Sequence, residues 1–576
     1  MKRTIACLLI SMLAFAAWSV PAKPGLWKTI RLTDGTEVRA RLCGDEHAHF
    51  WMTASGKSYV NRAGTDVFMP ISREQIQKRA LKHRPAVRKN QSRLMSPRKV
   101  AIGERTHYIG TKKGLVILVE FSDLAFRAAN NLERFKRIMN EEGYNEGKFK
   151  GSVSDYFKAQ SAGQFELDFD VVGPYTMSHD YKYYGQNDSD GNDMHAEDMI
   201  IEACKEADND VNFADYDWDG DGEAEEVFVL YAGKGEADSS NTNTIWPHMY
   251  FLSETGMSLT LDNTKIDTYA CSNEIMPDGR IEGIGCFCHE FSHCMGFPDF
   301  YDINYSGWFG MSDFDLMCGG SYNGDTYRPA GYTAHEKMMC GWQEPTVLAE
   351  KDTVITNMMP MSNNGETFII YNDAYPDEYF TIENRQKTGW DTDFPAKGLM
   401  ITHVDFDQDL WKNNFPNTEI TLSSDIYAAC KILNDHQRMT IIHADNDDDS
   451  TYWHPEGGYY SKKTLSTDLY PYKQLDSLTV SSTPAPTLYN ENSQGTKTVD
   501  WAILDMKQND DGTMDFRYRA KTPYVITPDD DPSGILTLSD KKNSSCYYSL
   551  DGRRINGKPS TKGIYIYEGR KVAIKF

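Results

Sequence analysis

The sequence predicts a multidomain protein: a small β-rich N-terminal unit, a mixed α/β domain, a β-sandwich-type domain and a short β-rich tail. Three observations carry this expectation. The chain has 576 residues, enough for three or four domains. Hydrophobic residues make up 40% and charged residues 25%, so a sizeable core can form and global disorder is excluded. Helix and buried-strand patterns alternate from Gly114 to about Trp342, whereas beyond Trp342 only short β-type runs between Asn, Asp and Gly turns remain. The net charge of −24 repels phosphate and argues against nucleic acid as a general partner.

Residues 1–22 read as a secretory signal. Lys2 and Arg3 form a basic start, Ile5 to Trp18 is mostly apolar, and Val20-Pro21-Ala22 is a small-x-small-like cleavage site. The run is too short and too poorly flanked for a transmembrane anchor, so the protein is expected to be secreted or attached to the cell surface. Cleavage there leaves ten of the eleven cysteines, too few for a dense disulfide framework.

Residues 23–113 read as a propeptide. Short alternating runs such as Thr29-Ile30-Arg31-Leu32, with turns at Asp34-Gly35 and Ser55-Gly56, indicate a β-rich unit. From Arg73 to Lys113 there are thirteen Lys and Arg against only Glu74 and Glu104, a sharp reversal in an acidic chain. That stretch reads as a helix at Arg73–Arg84 followed by a protease-sensitive connector. Within the β-rich unit, Cys43-Gly44-Asp45-Glu46-His47 sets a thiol beside glycine and acidic residues, and either Cys43 or Asp45 could block a metal.

Residues 114–345 read as a folded α/β domain. Leu115–Phe121 is a buried-strand run, Asn131–Asn140 and Val153–Ala159 have helical apolar spacing, and Phe165–Val172 alternates as a strand. His195–Ala207 is expected to be a helix and Glu226–Tyr231 a strand. Residues 346–520 are expected to form the β-sandwich-type domain, with strands at Thr367–Tyr371, Tyr379–Glu383 and Leu399–Val404. A Pro/Asp-rich linker at 521–533 precedes the tail, 534–576.

The chemistry sits at CFCHEFSHCMGFPDFYD, residues 286–302. His289 and His293 are four apart, so on a helix their imidazoles project from one face. Such a pair supplies two ligands of a catalytic zinc, with Glu290 placed as general base toward the attacking water. Gly296 lets the helix end in a sharp turn and Pro298 prevents its continuation. Asp299 then lies where the returning chain can offer a third ligand. Glu336 or Asp313 would serve instead in a different metallopeptidase arrangement. Cys286, Cys288, Cys294 and Cys318 cluster around the motif. Adjacent helix positions turn about 100° away, so a disulfide or buried packing is expected rather than ligation.

A second ion is expected at DYDWDGDGEAEE, which follows the spacing of a calcium loop. Asp215, Asp217 and Asp219 would turn carboxylates inward, Gly220 would allow the bend, Asp221 would give its carbonyl, and Glu226 would close the shell. His248 and His403 read as structural.

HEFSHxxGFPDFYD resembles the zinc motif of the immune-inhibitor-A-type secreted metallopeptidases. The likeness extends through SVSDYFKAQSAGQFELDFDVVGPY, DYDWDGDGEAEEVFVLYAG, GWFGMSDFDLMCGG and EYFTIENRQKTGWD, roughly residues 114–450. It implies a metzincin-like fold for the catalytic domain, zinc on His289, His293 and Asp299, and Glu290 as base. It also implies that Met317 forms a Met-turn. Cys43 resembles in part the cysteine switch of matrix metalloproteinase propeptides. The tail, YYSLDGRRINGKPSTKGIYIYEGRKVAIKF, resembles the sorting tails of type IX secretion cargo in the Bacteroidetes, which implies secretion machinery of the outer membrane as a partner.

The expected function is therefore a secreted zinc-dependent endopeptidase, stored as a zymogen and acting on protein or peptide substrates. Two other readings remain: a non-catalytic surface-binding or adhesive protein on a metallopeptidase scaffold, and a zinc peptidase specialised for glycoproteins. The intact His289, Glu290 and His293 weigh against the first.

Overall fold

The computed structural model describes residues 20–23, 25–62, 65–82, 107–303, 307–420, 433–448, 465–520 and four short strands after residue 545. The predicted leader, apart from Val20–Ala22, lies outside the described residues, as do most of the basic connector and the 521–533 linker. The protein is multidomain and mixed α/β. It divides into one compact unit through residue 521 and a second from residue 522.

Near the N-terminus, strands Trp27–Leu32, Glu37–Cys43, Phe50–Thr53, Ser58–Asn61 and Val67–Pro70 close into a five-stranded barrel. Closure comes from parallel pairing of the first and last strands, Arg31 with Val67 and Leu32 with Phe68. The basic helix follows at Arg73–Lys82.

The next layer is a five-stranded sheet in the order Phe165–Thr176, Gly110–Glu120, Val227–Tyr231, Thr268–Asn273, His248–Phe251. The first four strands run parallel, and only the edge strand His248–Phe251 is antiparallel. Leu115 to Val119 is apolar at every position because both faces of this sheet are covered. Val116 and Leu118 turn to the face that carries the motif helix, Gly285–Cys294, while Leu115, Ile117 and Val119 turn to the face covered by helix Ala196–Ala207. Several bounds differ from the expected ones by a residue or more: helix Leu132–Asn140 and strand Val227–Tyr231 start one residue late, whereas Phe165–Thr176 runs four residues further, where register pairing with Gly110–Glu120 extends the strand.

Beyond residue 345, a sheet of strands Thr346–Val347, Phe368–Tyr371, Glu378–Arg385, Gly398–Asp405 and Met439–Ile441 lies beside a three-stranded sheet of Thr353–Met358, Met514–Arg519 and Ala502–Gln508. Ile370, Phe380, Ile382, Ile401, Ile503 and Phe516 form their shared core. The other face of the five-stranded sheet does not end in solvent. Ile369, Tyr379, Met400 and Val404 join the same apolar core as Phe287, Phe291 and Met317, so the motif helix rests on residues from both sides of position 345. In the second unit, strands Arg554–Asn556, Cys546–Tyr548, Gly563–Tyr567 and Arg570–Ile574 pair in that order into an antiparallel sheet.

Candidate active site

All ten residues of the helix Gly285–Cys294 are buried. Phe287 and Phe291 form one face at i, i+4 spacing and pack on the sheet, with Phe287 stacked on Phe228 at 3.9 Å between ring centroids. His289 and His293 therefore share another face.

Each imidazole is oriented through its Nδ1. His289 Nδ1–H donates to the Leu316 carbonyl at 2.8 Å, and His293 Nδ1–H donates to the Phe297 carbonyl at 2.8 Å. Both bonds come from sharp chain reversals. Gly296 adopts φ +98°, a left-handed geometry that costs glycine little, and this turns the Phe297 carbonyl back beneath His293. The Leu316 carbonyl precedes Met317, whose amide donates to Asp315 Oδ1 at 2.6 Å. Met317 itself is fully buried in that turn.

With Nδ1 protonated, both Nε2 atoms of neutral rings are lone-pair donors, and they lie 3.0 Å apart. Asp299 Oδ1 stands 3.3 Å from one and 3.4 Å from the other. That oxygen is buried with no hydrogen-bond donor. Three converging electron-pair donors repel one another unless a cation lies between them, so the set fits a divalent metal held by two imidazoles and a carboxylate. The fixed Nδ1 tautomers are the outer-shell arrangement such ligands require.

The rest of the Asp299 environment was not foreseen. Asn414 clamps it from both sides, accepting from the Asp299 amide at 2.6 Å and donating to Oδ2 at 2.7 Å. This leaves Oδ1 directed at the histidines. Nothing in the WKNNFPNT context marks Asn414, since its role depends on a contact 115 residues away. Glu336 instead closes the capping box of helix Ala334–Cys340 with Thr333, and neither it nor Asp313 joins the histidines.

Glu290 is fully buried beside them. Its Oε1 accepts from the Val20 amide at 2.7 Å, and its Oε2 has no hydrogen-bond partner. Burial pushes its carboxyl well above the usual range; the charges of Glu46, from the N-terminal barrel, and Asp299 add to this, while the Val20 amide opposes it.

Cys43 is not at the metal ligands. It packs with Ala48, Phe50, Val60 and Ile76 inside the barrel's own core, its thiol 3.9 Å from the Arg41 carbonyl. Asp45 Oδ1 accepts from the amides of His47 and Ala48, which shapes the turn after Gly44. Cys286, Cys288, Cys294 and Cys318 are buried and unpaired as disulfides, so of the two expectations it is buried packing that holds.

The acidic loop is only partly assembled. Asp217, Asp219 and Asp221 converge, and Asp217 also ties the loop by accepting from the amides of Gly220, Asp221 and Gly222. Asp215 lies apart, paired with Lys113 at 3.3 Å. Glu226 enters the protein interior beside Cys294, because the strand begins at Val227 and carries it away from the loop. His248 and His403 are structural in their contacts. His248 bridges the Trp246 carbonyl and the Tyr269 hydroxyl, and His403 pairs with Glu378 at 2.9 Å.

A buried helix thus carries two oriented histidines and a glutamate and is closed by a returning aspartate, a set fit to hold a metal ion beside a carboxylate. Comparison with known proteins agrees. Residues 103–343 match the family model of the immune inhibitor A peptidase M6 catalytic domain. The chain is similar to the pre-pro-metalloprotease PrtV of Vibrio cholerae serotype O1, from strain M66-2 and from strain ATCC 39315 / El Tor Inaba N16961. Identity is 26% in each case, covering 43% of this chain and 32% of the relative. The chain thus spans about a third of the length of these relatives. Among the described residues no helix is long and apolar enough to cross a membrane.

Proposed function

We propose that the protein is a secreted zinc-dependent endopeptidase with a metzincin-like catalytic domain, made as a zymogen. The observation that carries this is the convergence of His289 Nε2, His293 Nε2 and Asp299 Oδ1 beside the Glu290 carboxylate. Zinc, when bound, supplies the Lewis acid that polarises the scissile carbonyl and acidifies the attacking water. His289, His293 and Asp299 would hold that ion, and the Leu316 and Phe297 carbonyls and Asn414 orient these three side chains. Glu290 takes the proton of the attacking water at its carboxylate and returns it to the leaving nitrogen. For this it must be ionised, so the buried, covered state seen here opposes the reaction.

Substrates on this reading are proteins or extended peptides. Calcium would occupy the Asp217, Asp219 and Asp221 cluster, with Asp215 and Glu226 outside it. The tail from residue 534 would serve export through outer-membrane secretion machinery.

The decisive test is Glu290→Gln. Metal content by elemental analysis should stay near one zinc per chain, while hydrolysis of denatured casein falls at least a hundredfold. Retained hydrolysis would remove Glu290 from the chemistry. Zinc binding with no chelator-sensitive hydrolysis in the wild-type or any activated form would favour the non-catalytic scaffold.

A further inference from the structure

Beside the acidic loop, a further group of metal-ligating side chains lies apart from the hydrolytic centre. His107, Asp219 and Glu225 each bring one donor atom to within 4.8 Å of the other two. No motif marks this group, because His107 stands more than a hundred residues before the loop. It differs in kind from the neighbouring triad of Asp217, Asp219 and Asp221, which is all carboxylate, and it shares Asp219 with that triad.

The geometry around Glu225 is the second observation. Its carboxylate is 4% exposed, and its two oxygens have separate surroundings. Oε2 accepts from the Trp218 amide, whereas Oε1 stands 3.8 Å from His107 Nε2. That separation is too long for a hydrogen bond, yet it falls within the reach of two donors bound to one ion at about 2.0–2.2 Å each. The ligands sit on anchored chain. The His107 ring meets Tyr108 edge-on at 4.7 Å between centroids and leans on Trp218 at 6.1 Å. Trp218 donates from its indole to the Lys113 carbonyl at 2.8 Å, and the Glu225 amide donates to the Tyr216 carbonyl at 3.0 Å. Asp219 is exposed, so water can complete the coordination shell.

We propose that His107, Glu225 and Asp219 form a second metal site, which takes a divalent transition ion of the manganese(II) class. Calcium is ligated by oxygen, whereas an imidazole in the set selects a transition ion, and two carboxylates with open water positions suit manganese. Because Asp219 belongs to both groups, the ion here and calcium in the triad depend on one shared carboxylate. The role of the ion is to tie His107 to the loop. Directly after His107, Tyr108 donates from its hydroxyl to the Met295 carbonyl at 2.6 Å, and its own carbonyl accepts from the Trp342 indole at 2.8 Å. Met295 caps the motif helix immediately before Gly296, so the ion stiffens the segment that holds the end of that helix. It takes no part in hydrolysis, and the site stands whether or not the peptidase reading does.

The test uses the full chain, loaded with one equivalent of zinc, in wild-type and His107→Phe forms. His107→Phe keeps a ring against Tyr108 and Trp218 and removes only the donor nitrogen. Manganese(II) is titrated in, and the free ion is followed by its electron paramagnetic resonance signal. The wild type should bind one manganese per chain. His107→Phe should bind it at least about tenfold more weakly, since losing a ligand costs no less than losing the partner of a ligand. Equal affinity in the two chains would overturn the site. Pulsed spectra of the wild type should show coupling to one imidazole nitrogen, and this readout decides the matter even where His107→Phe folds poorly. Coupling to no nitrogen, or to the two of His289 and His293, would refute the assignment. Calcium affinity should be the same in wild type and His107→Phe, whereas a shared loss of calcium binding would reduce the two groups to one calcium site. Amide hydrogen exchange at residues 107–110 should slow when manganese is added to the wild type and stay unchanged in His107→Phe. Unaltered exchange in manganese-bound wild type would end the tethering role.

Discussion

At the scale of single residues, the site depends on groups that hold the ligands as much as on the ligands. Asn414 makes two hydrogen bonds to Asp299 and leaves only Oδ1 for the ion. Asn414→Ala should therefore fold and still bind zinc, but with affinity lowered about 10- to 100-fold, as measured by competition with a chromophoric chelator. Unchanged affinity would mean that Asp299 is oriented by the backbone alone. Gly296 acts similarly on His293. Its φ of +98° strains any L-residue, so Gly296→Ala should lower stability by about 1–2 kcal/mol in urea unfolding and displace the carbonyl that fixes the His293 tautomer. The histidine pair, Glu290 and Asp299 were legible in the sequence because their spacing is local. Asn414 was not, because the contact that defines it spans 115 residues.

At the scale of elements, the strand Glu378–Arg385 joins the two halves of the large unit. Arg385, fully buried, pairs with Asp391 at 2.8 Å and Glu383 at 3.3 Å and donates to the carbonyls of Gly331 and Tyr332. Glu383 in turn accepts from the Ala334 amide at 2.5 Å, at the start of helix Ala334–Cys340. Removing the cation leaves two carboxylates buried together. Arg385→Met should destabilise the protein by about 3–5 kcal/mol, read from the urea midpoint at constant slope. A loss below about 1 kcal/mol would show that the network is solvated. Sequence periodicity found these strands, yet it gave no sign that one of them carries the ionic joint.

The same sheet sets an acid limit for the whole molecule. Glu378 accepts from the His403 ring and from the amides of Tyr489 and Asn490, which lie more than a hundred residues away. Burial alone would raise its carboxyl, but these donors outweigh burial and hold it at about 2. Because the folded value lies below the unfolded one, its contribution is complete above about pH 4.5 and is lost as pH falls toward 2. Melting temperature should drop through that window, and Glu378→Gln should flatten the drop while lowering stability at neutral pH. An unchanged acid limb in that variant would exclude Glu378 as its source. Calcium acts at this scale too. If Asp217, Asp219 and Asp221 hold it, millimolar calcium should raise the melting temperature of the zinc-loaded wild type but not of Asp219→Asn.

The sequence by itself determined the motif and many of the elements, because these are encoded by short-range pattern: alternation or a continuous apolar run for the strands, and a spacing of four for the histidines on one helix face. It also determined the turn at Gly296 that brings Asp299 back. Tertiary structure decided what lies far apart in the chain. Only the fold brings Asn414 to Asp299, draws Glu226 out of the acidic loop into the interior, and keeps Cys43 inside the barrel core. Above all, only the fold carries Val20, 270 residues before Glu290, to the carboxylate it caps. Local pattern records which face a side chain takes, whereas long-range pairing is set by which buried surfaces and polar groups can satisfy one another, and no spacing along the chain encodes that.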